Sequence, residues 1–446
     1  MSTPNSGGSN DAVREAAHAG RPATDPAAVD TDIEARTGFS QDSAGAASIG
    51  SYYRRYLRRV RGGDVGSLPA MAGLIVLLLV FAGLRFQIFT SATNFANLLT
   101  QAGAIIVLAM GIGFVLLLGQ IDLSAGVIGG VGAATTAQLI LKSGLPWWVA
   151  LLVALLVGVA MGLLSGFLVA VVGIPSFVVS LAFFLAWQGV LLAIVSSGGT
   201  IPINEPVIYT VANQSLSVTW SWIVVIVVIV AYTGISLNTW RQRQAKGLVN
   251  SPVAVVFIRS AVIAVLLILA TAYLSVNRSI GAIPIKGIPW IVPIVGVLLV
   301  LWTFVQSRTA FGRYVYAIGG NAEAGRRAGI RVNRIVIACF VISSAMAVLS
   351  GLIEASRLSS VTAASGTGNE LLFAVAAAVI GGTSLFGGKG KAKDAVIGGL
   401  VIALIPNGLG LLTNNSVYTY VITGGVLLIA ASVDAITRRR RAGSGS

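Results

Sequence analysis

NLLTQAGAIIVLAMGIGFVLLLGQIDLSAG, residues 97–126, starts as a membrane-crossing helix and then breaks. About 20 mostly apolar residues suffice to cross a bilayer as a helix, and 97–118 meets that length. Gly119 and Asp122 interrupt the run, and 126–142 resumes it as a shorter apolar stretch, in the manner of a discontinuous or re-entrant helix. Asp122, within Ile121-Asp122-Leu123-Ser124, suits two roles. It can cap a helix beginning near Leu123, or orient a broken helix whose free backbone groups face a polar path.

The rest of the chain repeats the pattern. Of 446 residues, 56% are hydrophobic and 10% charged, with a mean hydropathy of +0.88, which excludes an ordinary soluble domain. Apolar windows fall near 69–86, 97–118, 126–142, 146–172, 176–196, 218–236, 253–274, 290–306, 335–355, 370–386, 394–412 and 416–435. The expected fold is an all-α polytopic integral membrane protein with ten to twelve transmembrane helices. Its expected organisation is a disordered cytoplasmic tail over 1–50, a membrane domain over 51–437 and a basic cytoplasmic tail over 438–446. Residues 1–50 carry seven acids and three arginines and no apolar stretch long enough for a signal peptide.

Lys and Arg gather in short clusters between the windows, so the formal charge of +15 reports membrane orientation and no nucleic-acid partner. Arg54–Arg61 puts the N-terminus in the cytoplasm and can lie on anionic lipid headgroups. Alternating sides then places Arg241–Lys246, 307–334, Lys389–Lys393 and Arg438–Arg441 in the cytoplasm as well. Cys339 and His18 are the single cysteine and histidine, too few for a disulfide or metal site, and no cofactor is implied.

The longest basic interruption, 307–334, contains SRTAFGRYVYAIGGNAEAGRRAGI over 307–330. Asn321 can cap a short helix, Glu323 suits its positive end, Arg326 and Arg327 suit its negative end, and Gly329 fits the left-handed position that ends it. Orientation alone needs basic residues and no capped helix, so this segment reads as a docking element.

GRYVYAIGGNAEAGRRAGI resembles the cytoplasmic coupling segment of bacterial ABC-type sugar permeases of the ribose and xylose group. LLLGQIDLSAG is similar to that family's Ile-Asp-Leu-Ser motif, and NELLFAVAAAVIGGTSLFGGKG to its Glu-containing segment leading into Gly-Gly-Thr-Ser-Leu; the likeness runs from about 94 to 437. Gln120 stands where Gly is common, Gly325 and Ala328 replace the usual Ala and Ser, and no basic residue precedes Ile174-Pro175-Ser176-Phe177. Arg241–Leu248 with Ser251-Pro252, and the helix pair around them, resemble the xylose permeases in particular.

The resemblance implies an importer permease for D-xylose or another pentose. It implies an ATPase subunit on Asn321, Glu323, Arg326, Arg327 and Gly329, an extracytoplasmic sugar-binding protein and a second permease copy. Gln120, Asp122, Ser124, Asn369 and Glu370 are the expected path or gate residues, in a weakly polar path without strong charge. Asn94, Gln101 and Asn407 are further polar candidates, each equally suited to an interhelical hydrogen bond. Residues 119–126 faintly match 381–388, as two parallel Gly-interrupted segments would; helix packing explains the same glycines.

Two other function classes make demands of their own. An ion-coupled carrier needs a relay of buried acids or histidines, and the windows hold few. An enzyme needs a nucleophile paired with a base or a metal cluster, and none is evident. Thr383–Gly390 lacks the first Gly and the hydroxyl of a phosphate-cradling loop, so the chain is not expected to hydrolyse ATP.

Overall fold

The computed structural model describes residues 67–425 apart from 197, 198, 248–250, 280, 282, 283, 414 and 416, together with 428 and 432. The tails expected over 1–50 and 438–446, the Arg54–Arg61 run and most of 426–435 lie outside the described residues. The elements are α1 (Leu68–Leu84), α2 (Ala92–Leu117), α3 (Ala125–Ser143), α4 (Trp147–Phe167, extended by a π-turn over Leu168–Val172), α5 (Ser176–Val195), β1 (Thr200–Pro202), α6 (Pro206–Asn213), α7 (Val218–Ala245) and α8 (Val253–Leu274). There follow α9 (Ile291–Arg308), α10 (Ala310–Gly320), α11 (Ala322–Arg327), α12 (Val332–Leu358), β2 (Ser360–Thr362), α13 (Glu370–Gly381) and α14 (Ala392–Gly410). Residues 417–425 are helical too.

Every apolar window therefore contains a helix. Nine helices among the described residues are long and apolar enough to cross a membrane, while α1 and α13 are shorter. The all-α polytopic fold follows from the chemistry, because in a bilayer each backbone amide must find its partner inside its own segment.

The bundle is layered by burial. The most apolar window of α2 is 78% buried and that of α14 72%, whereas those of α7 and α8 are 11% and 6% buried and present Val, Ile and Leu outward. The centre is built on close backbone approach: α3 meets α12 where Gly129 lies against Ala347 and Gly351. A side chain at Gly129 would sit 2.6 Å from the Ala347 carbonyl oxygen, so small residues bring the backbones together, as in other membrane bundles.

The connections segregate to two ends. At the strand end, β1 pairs antiparallel with β2 in the register Thr200↔Thr362, Ile201↔Val361 and Pro202↔Ser360. Leu216 N donates to Ile288 O at 2.9 Å there, and Arg278 Nη2 donates to Ser215 Oγ at 2.8 Å. Partial burial lowers the pKa of that guanidinium from its usual value. At the opposite, basic end, Ile121 N donates to Ser176 Oγ at 3.1 Å, and Gly388 N to Leu117 O at 2.9 Å. The turns at 118–124, 168–175, 309–331 and 382–391 share this end, the grouping that alternating spans require.

Candidate functional site

A cavity of about 630 Å³ opens among α2, α3, α12, α13 and α14, within the ~300–1,000 Å³ range of small-molecule sites. Its polar lining includes Gln101, Ser350, Glu354, Arg357, Asn369 and Glu370, and Phe373 and Tyr420 contribute aromatic wall. Glu354 and Arg357 lie one turn apart on α12 and form a bidentate pair, Arg357 Nε to Glu354 Oε2 at 3.0 Å and Nη2 to Oε1 at 2.5 Å. Glu370 Oε2 is buried without a hydrogen-bond partner. Three ionisable groups line the cavity, and two of them, Glu354 and Arg357, form an ion pair.

Asn369 and Glu370 follow β2, where the chain dips into the bundle. Gly366, at φ +76°, packs against Gly126 of α3, and Leu371 contacts the same glycine. The helix α13 therefore starts inside the protein, with Asn369 as its cap residue and Glu370 in its first turn. Twelve residues are too few to cross a bilayer, and this inward loop supplies the missing length. A backbone break at such depth is tolerated where it lines a cavity, as it does here.

At the other break, Asp122 and Ser124 sit away from this cavity. The helix α3 begins at Ala125, later than the start near Leu123 that the sequence suggests. Asp122 Oδ1 accepts from Ser124 N at 3.0 Å and from Ser124 Oγ at 2.7 Å, so the carboxylate folds the chain over just before the helix. Its Oδ2 accepts from Ser343 Oγ of α12 at 3.0 Å. Ser343 lies eleven residues into α12, about 16 Å along its axis, so this buried knot sits between the basic end and the cavity. Gln120 is half-buried beside the knot, outside the cavity lining. The cap residue of α3 is Ser124, and Asp122 orders the turn before it and ties that turn to α12.

Two remaining polar candidates take the structural role. Asn94 of α2 and Asn407 of α14 exchange side-chain hydrogen bonds at 3.1 Å in both directions, and Asn94 Nδ2 also donates to Phe89 O at 3.0 Å. Gln101 lines the cavity. The matching segments 119–126 and 381–388 come together at the basic end, where Gly119 packs on the backbone of Phe386.

The basic segment folds as two helices, one more than its sequence suggests. Thr309 caps α10, its Oγ1 accepting from Gly312 N at 3.1 Å, and Asn321 caps α11, its Oδ1 accepting from Ala324 N at 2.9 Å. Glu323 faces Arg326 and Arg327 at 3.4 and 3.3 Å, with all three side chains exposed, and Gly329 takes φ +80° after the helix. The inner face of α10 packs Val315 and Ile318 on Phe114, Leu117 and Phe340. Burial, helped by the Asp394 charge, raises the pKa of the Tyr316 phenol, which stays a neutral donor. The signal for α10 was a Thr with Gly three residues later and apolar residues spaced for one helical face.

Residues 94–431 match the family model described as branched-chain amino acid transport system / permease component. The Xylose transport system permease protein XylH of Escherichia coli strain K12 is 35% identical over 83% of this chain and 92% of its own length. The chain belongs to the ribose/xylose-type family of ABC transport permeases. XylH of Haemophilus influenzae is 32% identical over 83% of this chain and 96% of its own, and the Ribose import permease protein RbsC of Escherichia coli strain K12 30% over 85% and 96%. No solved structure matches. A permease of this family is a multi-pass membrane component of a transport system and not itself an enzyme, so the ion-coupled carrier has no support.

Proposed function

We propose that the chain is the permease subunit of an ATP-driven importer of D-xylose or another pentose. The observation that carries this reading is the cavity beside the interrupted entry into α13, with the capped docking helix α11 at the opposite end of the bundle. Arg357 is held by Glu354, which leaves no free cation among the described lining residues for a substrate carboxylate and favours a neutral polyol. Glu370 Oε2, Asn369 and Gln101 would accept from or donate to hydroxyls, and Phe373 and Tyr420 would cover an apolar sugar face.

In this reading the strand end faces outward and receives sugar from an extracytoplasmic binding protein. The basic end and both termini face the cytoplasm of a bacterial cell, in its inner or plasma membrane. An ATPase subunit grips α11 through Asn321, Glu323, Arg326, Arg327 and Gly329, within the coupling loop 307–334 of a membrane domain spanning 51–437. A second copy completes the complex, and lipid surrounds the apolar faces of α7 and α8. Sugar leaves the cavity inward when the Asp122–Ser124–Ser343 knot, with Gln120 beside it, opens under nucleotide-driven closure.

The test is uptake of radiolabelled xylose into proteoliposomes holding the purified chain with its ATPase, its binding protein and ATP. Uptake that needs all three supports the reading, and unlabelled ribose, allose and leucine as competitors rank the substrates. Uptake by the chain alone under an ion gradient overturns it.

A further inference from the structure

How movement at the basic end reaches the bundle rests on the reading that an ATPase docks there. The turn between α13 and α14 is where the connections converge. Tyr316 of α10 donates its hydroxyl to Gly390 O at 2.7 Å. Gln306, buried near the end of α9, accepts at Oε1 from Ala392 N at 2.8 Å, which satisfies an amide at the start of α14. Between these anchors, Lys391 N donates to Asp394 Oδ2 at 2.8 Å and closes the first turn of α14.

The same turn is fixed from a third side. Gly388 N donates to Leu117 O at 2.9 Å, and Leu117 is the last residue of α2 before the chain breaks toward Asp122. Gly319 of α10 packs on both Leu117 and Gly388. Within the turn, Gly387, Gly388 and Gly390 take φ values of +85°, +72° and +149°, backbone states that other residues rarely adopt. A glycine-rich turn held by side chains from rigid helices is built to move with them, since hinges concentrate at a few such positions.

We propose that Gln306 and Tyr316 are positioning residues. They lock the α13–α14 turn to α9 and α10, so that a displacement of the docking segment swings α13, whose far end carries Glu370 at the cavity, and through Gly388 pulls on the end of α2. Neither residue forms the exposed charged face of α11, and Gln306 is buried.

The experiment compares wild type, Tyr316→Phe, Gln306→Met and the double variant, each assembled with the ATPase and binding protein in proteoliposomes. ATPase binding and hydrolysis are expected to stay near wild type, while sugar imported per ATP falls about tenfold in the double variant, in the usual range of site-to-site coupling. Tyr316→Phe removes a single hydroxyl and keeps the test available should Gln306→Met fold poorly. Unchanged import per ATP, or an import loss accounted for by lost ATPase binding, overturns the proposal. Amide exchange at Gly388 and Ala392 separates it from the reading it rests on: adding the ATPase should alter exchange there in wild type and leave the variants unmoved. A wild type that imports no sugar sinks the proposed function, whereas an equal exchange response in wild type and variants sinks the linkage.

Discussion

Replacing Asn407 by Leu isolates the bond that closes α2 against α14. The two amides are 7% and 6% exposed and exchange two hydrogen bonds at 3.1 Å, while Asn94 keeps a third bond to Phe89 O. Interhelical hydrogen bonds in membrane proteins average about 0.6 kcal/mol, so the lost pair is worth about 1.2 kcal/mol. The larger effect is the Asn94 Oδ1 left buried without a donor, which costs about 1–3 kcal/mol. Asn407→Leu should therefore destabilise by about 2–4 kcal/mol, summing the two contributions. In Asn94→Leu/Asn407→Leu the pair is lost once and neither oxygen is orphaned, so the double variant should recover about 3 kcal/mol or more relative to the sum of the single changes. Reversible unfolding in mixed detergent micelles reads all four corners of this cycle. Strict additivity, or two neutral single variants, would refute the argument that the amides serve each other and not a passing substrate.

Glu323→Arg with Arg326→Glu keeps an exposed one-turn ion pair worth about 0.2–0.5 kcal/mol, so folding should survive while ATPase docking is lost; unchanged uptake would rule out the docking assignment. Arg357→Leu strands the half-buried Glu354 in the cavity and should lower sugar uptake at least about fivefold, as when a paired charge loses its partner, with ATPase binding retained on a pull-down. Gly130→Val pushes a side chain into the backbone of Ser365 and should cost about 2 kcal/mol or more of stability, as overpacking does, measured as a lower melting temperature in detergent. Glu370→Gln keeps an acceptor oxygen and should weaken xylose uptake less than Glu370→Ala, a ranking that competition assays establish.

Much of the molecule is decided locally and is therefore written in the sequence. Apolar windows of about 20 residues fix the helices, because a bilayer leaves backbone amides no other partner. The cap on α11 is equally local: Asn321, Glu323, the two arginines and Gly329 lie within nine residues, and their roles depend on helix ends alone. The tertiary structure decided what depends on distant partners. Nothing local says that the Thr362–Asn369 loop turns inward, since that rests on Gly126 and Gly130 of α3 leaving room for Gly366 and Ser365. Nor does it say that Asn94 meets Asn407 313 residues away, that Asp122 reaches Ser343, or that Tyr316 and Gln306 hold the turn before α14. A hydrogen bond between helices is set by their packing and depth, so polar residues that look alike in sequence divide, once folded, into cavity lining, knots and clasps.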